Sequence, residues 1–247
     1  MMARPMMAIV QAGVLAFALG GGVFAQDSAF APDYRQLALG LSAREMPVEG
    51  IDIFACGSNG GPPLSVLSGW IDYAQCPTDQ NGLHEVYIEF DTELQRLVES
   101  TEEQFGQAPW FKPYAGTRVA NFAVVMSMLF DDEGIARGFR AITDPRAGLD
   151  ERAQAFMLRL RVIPQYGRAD WECIDREPGP RETPVGETYL NQFCEKRIDG
   201  KLITVESHLF RKAGQTGVDR QGQPIPGDYE SLTRWEVYDE AYLESVQ

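Results

Sequence analysis

Histidine is almost missing from this chain: among 247 residues only His84 and His208 occur. That scarcity leaves few ways to build a Ser-His-Asp triad, and no GxSxG elbow is present. The phosphate-binding GxxxxGK[ST] loop and the zinc motif HExxH are absent, and no GxGxxG follows a strand-like run. No pair of cysteines has the CxxC spacing of a structural metal site. These absences predict no cofactor and no bound metal. Lysine is scarce too, with only Lys112, Lys196, Lys201 and Lys212 among the 22 basic residues. No Asn-x-Ser/Thr sequon occurs, which fits a non-glycosylating host. No long low-complexity tract or block of like charge interrupts the chain, so a folded chain is expected rather than wholesale disorder.

What is present begins with acid. The 36 Asp and Glu against 22 Lys and Arg give a net charge of −14. Such a chain repels phosphate backbones and anionic lipid surfaces, so nucleic acid and membrane surfaces are poor partners. The charge is uneven. Residues 77–105 hold eight acids and one arginine, and residues 134–168 hold seven arginines and three acids. Compensation within one fold is the expectation, with an acidic partner for the basic stretch as the alternative.

The N-terminus reads MMARPMMAIVQAGVLAFALGGGVFAQ. A single Arg4, a mostly apolar run from Met6 to Leu19 and small residues before Gln26 have the pattern of a signal peptide, residues 1–25, cut after Ala25. Interrupted by Gln11 and closed by three glycines, the run is short against the ~20 apolar residues of a membrane span. An exported, periplasmic or secreted protein without a membrane span after cleavage is expected, bacterial by its arginine-rich, alanine- and glycine-rich composition. Four cysteines, Cys56, Cys76, Cys173 and Cys194, then imply disulfides. Four allow three connectivities; Cys56–Cys76 and Cys173–Cys194 are favoured because each closes a local loop of similar size.

Residues 26–50 read as a loosely held lead-in with a short helix around DYRQLALGLS. From 51 to 247 the pattern is globular, with residue 168 as the boundary if it divides into two subdomains. VLSGWIDY (66–73) and LHEVYIEF (83–90) read as strands. In the latter, His84, Val86, Ile88 and Phe90 share one face, and Leu83, Glu85, Tyr87 and Glu89 the other. DTELQRLVES from Asp91 reads as a capped helix. Residues 123–130 are apolar on both faces, as a covered central strand should be, and DDEG joins them to IARGFRAIT as a hairpin. LDERAQAFMLRLRVI predicts one helix capped by Asp150, burying Ala153, Phe156, Met157, Leu160 and Ile163. WECI, ETYLNQFCEKRI, KLITVESHLFRK and ESLTRWEVYDE read as strands, the middle two joined at Asp199-Gly200. The expected class is α+β: a mainly antiparallel sheet, about two packing helices and two disulfides. The halves share a faint likeness, each with a cysteine-closed loop, GPP or PGP, and a tryptophan in a strand-like run. Residues 124–156 also resemble the strand–acidic turn–strand–helix unit of TonB C-terminal domains. That resemblance covers this stretch alone and implies a local shape, with no function transferred.

Catalytic side chains are few. Glu85, Glu89, Glu206 and Glu236 are the acids placed for carboxylate chemistry on a sheet, and solvated surface acids are the competing reading. Glu206 and His208 share a strand face and read as a polar row beside Thr204, with Ile203, Val205 and Leu209 inward. Asp131, Asp132 and Glu133 lack calcium-loop spacing and read as a turn. The most distinctive stretch is APWFKPYAG (108–116). Pro109 and Pro113 keep Trp110, Phe111 and Tyr114 on irregular chain. Rigid aromatic anchors there, with Lys112 to meet an acidic group, suit recognition of an envelope protein or glycan; the competing reading is a plug for the protein's own core. A non-catalytic exported binding module is therefore expected. A carboxylate-dependent glycan hydrolase and a disulfide-loop enzyme inhibitor are the alternatives.

Overall fold

The computed structural model describes residues 34–90, 117–217, 219–221, 225 and 228–246. They build one antiparallel sheet from β1 (Ile51–Cys56), β2 (His84–Phe90), β3 (Arg118–Val119), β4 (Phe122–Phe130), β5 (Ala136–Thr143), β6 (Glu172–Asp175), β7 (Leu190–Ile198), β8 (Lys201–Phe210) and β9 (Glu230–Asp239). The strand order is β1-β2-β4-β5-β9-β8-β7-β6, and the two-residue β3 pairs beside β4. Two meanders, β1-β2-β4-β5 and β6-β7-β8-β9, are thus fused where β9 pairs with β5, and the sheet continues across residue 168. Three short α-helices complete the described α+β fold: α1 (Leu149–Ala153), α2 (Arg159–Val162) and α3 (Glu240–Val246). No helix among the described residues is long and apolar enough to cross a membrane.

Local chemistry explains the turns. Asp199 (φ 51°) and Gly200 (φ 68°) close the β7–β8 hairpin with both central residues left-handed, the backbone that matches strand twist. Between β4 and β5, the Asp131 carboxylate accepts the backbone N–H groups of Glu133 (3.1 Å) and Ile135 (2.8 Å), so the acidic run is a turn built by its own first residue.

The register sorts the side chains. One row across the sheet is Cys56, Val86, Met128, Phe139, Val237 and Ile203. This face holds the main core, covered by Trp70, Leu158 and Val162. Residues 34–46 also cover it: Ala43 and Met46 are buried there, and Tyr34, Leu37, Leu39 and Leu41 pack against it. The next row is Ala55, Tyr87, Ser127, Arg140, Glu236, Thr204 and Glu195, so the opposite face is largely polar.

Two elements differ from expectation. The single helix over 149–163 is broken into α1, a 3-10 turn at Ala155–Leu158, α2 and a 3-10 turn at Ile163–Tyr166. Side chains of β9 break it. Ser231 accepts the Phe156 N–H (3.1 Å) and donates to the Ala153 carbonyl (3.2 Å), while Thr233 donates to the Ala155 carbonyl (2.9 Å). Backbone groups that would have joined an α-helical ladder are bonded to the sheet instead. The buried face becomes Ala155, Leu158 and Val162, while Met157 and Leu160 are exposed. Gly148, not Asp150, sits at the N-cap of α1, without a side-chain cap bond. The second difference is the expected strand 66–73. Val66 forms a single bridge to Ala55, and Trp70–Gln75 is a 3-10 helix. Ser68 points its backbone N–H (2.8 Å) and hydroxyl (2.5 Å) at the Asp72 carboxylate, which turns the chain, and Trp70 donates its indole N–H to the Pro47 carbonyl (2.8 Å).

Candidate functional site

The polar face is organised around Arg140 of β5. Its side chain is 6% exposed, and its guanidinium reaches Glu236 (2.5 Å from Nε), Glu85 (2.9 Å from Nη1), Asp79 (3.3 Å from Nη2) and the Tyr238 hydroxyl (3.2 Å from Nη2). Glu85 also accepts from Ser127 Oγ (2.9 Å) and the Asn59 backbone N–H (2.9 Å). Glu236 also accepts from Arg234 (2.9 Å), which donates to the Asn59 side chain (2.7 Å). Gly57 makes room: a Cβ there would lie 2.3 Å from the Glu85 side chain. Burial opposes the charge on Arg140, but the Tyr238 oxygen, Glu236 and Glu85 outweigh it and hold the guanidinium cationic. Asp79 and Glu85 come from the acidic stretch and Arg140 from the basic one, so the uneven charge is compensated internally at this point.

The remaining acids of the sequence analysis are also held. Glu89 meets Arg146 (3.3 Å) and accepts from the buried Tyr87 hydroxyl. Glu206 meets His208 Nε2 (3.1 Å) and Arg176 (2.7 Å). Glu85, Glu89, Glu206 and Glu236 therefore share one sheet face, and each has an arginine partner. Such carboxylates serve the sheet as fixed counter-ions. A glycosidase pair needs one proton-holding acid and one free base or nucleophile instead.

The hydrogen bond from His208, followed by the contact with Arg176, holds the Glu206 carboxyl down at about 2, against the partial burial that pushes it up. A depressed carboxyl stabilises the fold above its unfolded pKa of about 4.3 and loses that contribution as pH falls towards 2. Urea unfolding at steps between pH 5 and pH 2 is expected to show a shallower acid loss in Glu206→Gln than in the wild type. Parallel curves would remove Glu206 as a source of acid sensitivity.

His84 faces acceptors on both ring nitrogens, the Cys76 carbonyl (2.6 Å) and Asp132 (3.1 Å), at the rim of the sheet. Asp131, Asp132 and Glu133 form the β4–β5 turn, and no group of His, Cys, Asp and Glu suited to a metal ion occurs among the described residues. Both favoured disulfides are present, Cys56–Cys76 and Cys173–Cys194. They are not equivalent: Cys173 and Cys194 lie opposite each other on β6 and β7, whereas Cys76 follows a 3-10 helix. The likeness between the two halves does not extend to the placement of their bridges.

The proposed anchors Trp110, Phe111, Lys112 and Tyr114, and the helix expected from Asp91, lie outside the described residues. Their attachment points are described. β2 and β4 are antiparallel neighbours, and the Phe90 N–H donates to the Thr117 hydroxyl (3.1 Å). The described flanks, Phe90 and Thr117, thus lie side by side. Elsewhere, on the core side, a cleft of about 360 Å³ is lined by the rings of Tyr34, Phe139, Tyr166 and Trp235, with Gln165 and Lys201 beside them.

Sequence reasoning did not single out Arg140. The signal was an arginine inside the apolar run GFRAI, on a strand with covered neighbours: a buried charge needs partners. Comparison of the chain with models of known protein families, with curated proteins and with solved structures finds no match.

Proposed function

We propose that this protein is an exported, non-catalytic binding module that uses residues 108–116 to hold another component of the bacterial envelope, a protein or a glycan. The observation that carries the reading is the connection between β2 and β4. Antiparallel neighbours need only a short turn, and the hydrogen bond between Phe90 and Thr117 shows that the two ends already meet. Residues 91–116 exceed what the sheet requires, and long connections of this kind are commonly functional. This one carries three aromatic residues, two prolines and Lys112 within nine positions. The arginine-paired carboxylates of the polar face support a non-catalytic role, and the two disulfides support an oxidising compartment.

The test compares the wild type with a variant carrying Trp110→Ala, Phe111→Ala and Tyr114→Ala. Each is incubated with purified peptidoglycan and with detergent-extracted envelope proteins, and the retained component is identified. The wild type is expected to retain one defined component and the variant to lose at least about tenfold in affinity at an unchanged melting temperature. A variant that melts many degrees lower, together with no retention by the wild type, would make these rings core residues and end the proposal.

A further inference from the structure

The two ends of the sheet are finished differently. At one end, residues 64–67 cover the outer edge of β1. Cys56 donates its backbone N–H to the Ser65 carbonyl (2.8 Å), Leu64 donates to the Cys56 carbonyl (2.8 Å), and Leu67 donates to the Phe54 carbonyl (2.9 Å). At the other end β6 pairs with β7 alone, and among the described residues no strand or bridge lies on its outer edge. Residues 172–178 are all exposed. A bare row of strand N–H and C=O groups is a template for another strand. Proline, lysine and a bulge, three common guards of such an edge, are absent from Glu172–Asp175.

The phase of the β6–β7 ladder fixes which backbone groups are bare. Arg176 donates its backbone N–H to the Asn191 carbonyl (2.7 Å), and bonded and non-bonded pairs alternate along an antiparallel ladder. Arg176, Ile174 and Glu172 therefore bond to β7, and Cys173 and Asp175 turn their backbone groups outward. The Cα atoms of Cys173 and Cys194, 4.0 Å apart, have the close spacing of a non-bonded pair. A further antiparallel strand must then bond through Cys173 and Asp175. Glu172, Ile174 and Arg176 share the polar face of the sheet. Ile174 is 64% exposed beside its register partner Phe193. The Arg176 guanidinium lies over the Phe193 ring (5.6 Å) and meets Glu206 (2.7 Å), yet its side chain is still 48% exposed. The Glu172 carboxylate has no hydrogen bond or ion pair among the described residues.

We infer that β6 pairs antiparallel with β6 of a second copy of this chain, about a two-fold axis at Ile174, so that one sheet runs through both copies. The bare groups belong to Cys173 and Asp175, so the axis must pass through a single residue: Cys173, Ile174 or Asp175. Centred on Ile174, Cys173 bonds to the second copy's Asp175, and Glu172 faces the second copy's Arg176 at both ends of the contact. The two Ile174 side chains meet in a non-bonded pair, where opposed side chains come closest. Centring on Cys173 or Asp175 instead sets Ile174 against Glu172 or Arg176 and loses both ion pairs. Hydrogen-bond phase, charge and the exposed apolar side chain thus select one register. The two ion pairs also offset part of the repulsion between chains that each carry a net charge of −14. The inference does not depend on the role proposed for residues 108–116.

The test is sedimentation of the oxidised full chain over a concentration series reaching well above the expected Kd. The contact is small, so a weak dimer is expected, with a Kd on the order of 10–100 μM. Glu172→Arg and Arg176→Glu each set like charges opposite one another at both ends of the two-fold contact. Each is expected to weaken dimerisation at least about tenfold. An equimolar mixture of these two variants restores both opposite-charge pairs in a mixed dimer and is expected to associate about as tightly as the wild type. Ile174→Cys is expected to form a disulfide between chains, because the two copies meet at that position, and Glu172→Cys is not. A wild type that stays monomeric at every concentration would overturn the inference and leave the edge to an extended segment of a different protein. So would a dimer that neither charge variant weakens, a mixture that associates no better than its components, or no cross-link in Ile174→Cys. The wild-type series and the cross-link hold even where a charge variant fails to fold.

Discussion

Replacing Arg140 by methionine is expected to lower the unfolding free energy by about 3–5 kcal/mol. The substitution removes one cation: Asp79 and Glu85 lose their arginine and Glu236 keeps only Arg234, while the three side chains are 16%, 7% and 14% exposed. Desolvated charges without a counter-ion are costly, and this cost dominates over the gain from burying the methionine chain. Arg140→Lys is not a mild change here. The ammonium is a single point charge, and it cannot reach Glu236, Glu85, Asp79 and Tyr238 from one planar fork. A triple variant, Arg140→Met with Asp79→Asn and Glu85→Gln, is expected to recover much of the loss, because it removes the stranded charges together with their partner. Urea denaturation of the three variants reads the difference. A loss under about 1 kcal/mol for Arg140→Met would place the network with exposed ion pairs and remove its structural role.

Removing the Cys56–Cys76 bridge is the second large effect. Its 20-residue separation predicts a loss of about 3 kcal/mol from chain entropy alone. In a chain of this size that corresponds to a fall of about 6–12 °C in melting temperature. The loss is expected to exceed the entropic value, because the closed loop carries Asn59, which donates its backbone N–H to Glu85 and accepts from Arg234. Loosening the loop therefore loosens the Arg140 network, and Cys56→Ala/Cys76→Ala combined with Arg140→Met should cost less than the sum of the two. Strict additivity would show that loop and network are independent. The two bridges also differ in access. Cys56 and Cys76 are buried, whereas Cys173 lies on the exposed outer strand β6. Under mild reductant, alkylation followed by mass spectrometry should find Cys173 and Cys194 modified first, because exchange requires an approach to sulfur. Earlier modification of Cys56 would contradict this order.

Much of the sheet was legible because its signals are local. Alternation within LHEVYIEF put Val86 and Ile88 on the core face and Tyr87 on the other. The doubly apolar run 123–130 marked β4 as covered on both sides, and nearly all its residues are buried. Asp199-Gly200 marked the β7–β8 turn, and even cysteine spacing marked the two bridges. Each of these rests on residues that are near neighbours in the chain. Where that condition failed, so did the pattern. The helical stripe from Asp150 to Ile163 was real in the sequence, yet Ser231 and Thr233 took its backbone groups from across the fold. Trp70 had the neighbours of a strand residue, but its turn is made by Ser68 and Asp72 and its indole is held by Pro47.

By itself, then, the sequence determined the fold class, most strands, the disulfide pairing and the scarcity of histidine chemistry, because composition, spacing and period-two alternation act over a few residues. Only the tertiary structure decided that Asp79, Glu85 and Glu236 converge on Arg140, and that Ser231 and Thr233 take the backbone groups of residues 153–156. Both outcomes depend on which distant strands become neighbours, and on how much water their side chains lose when they do.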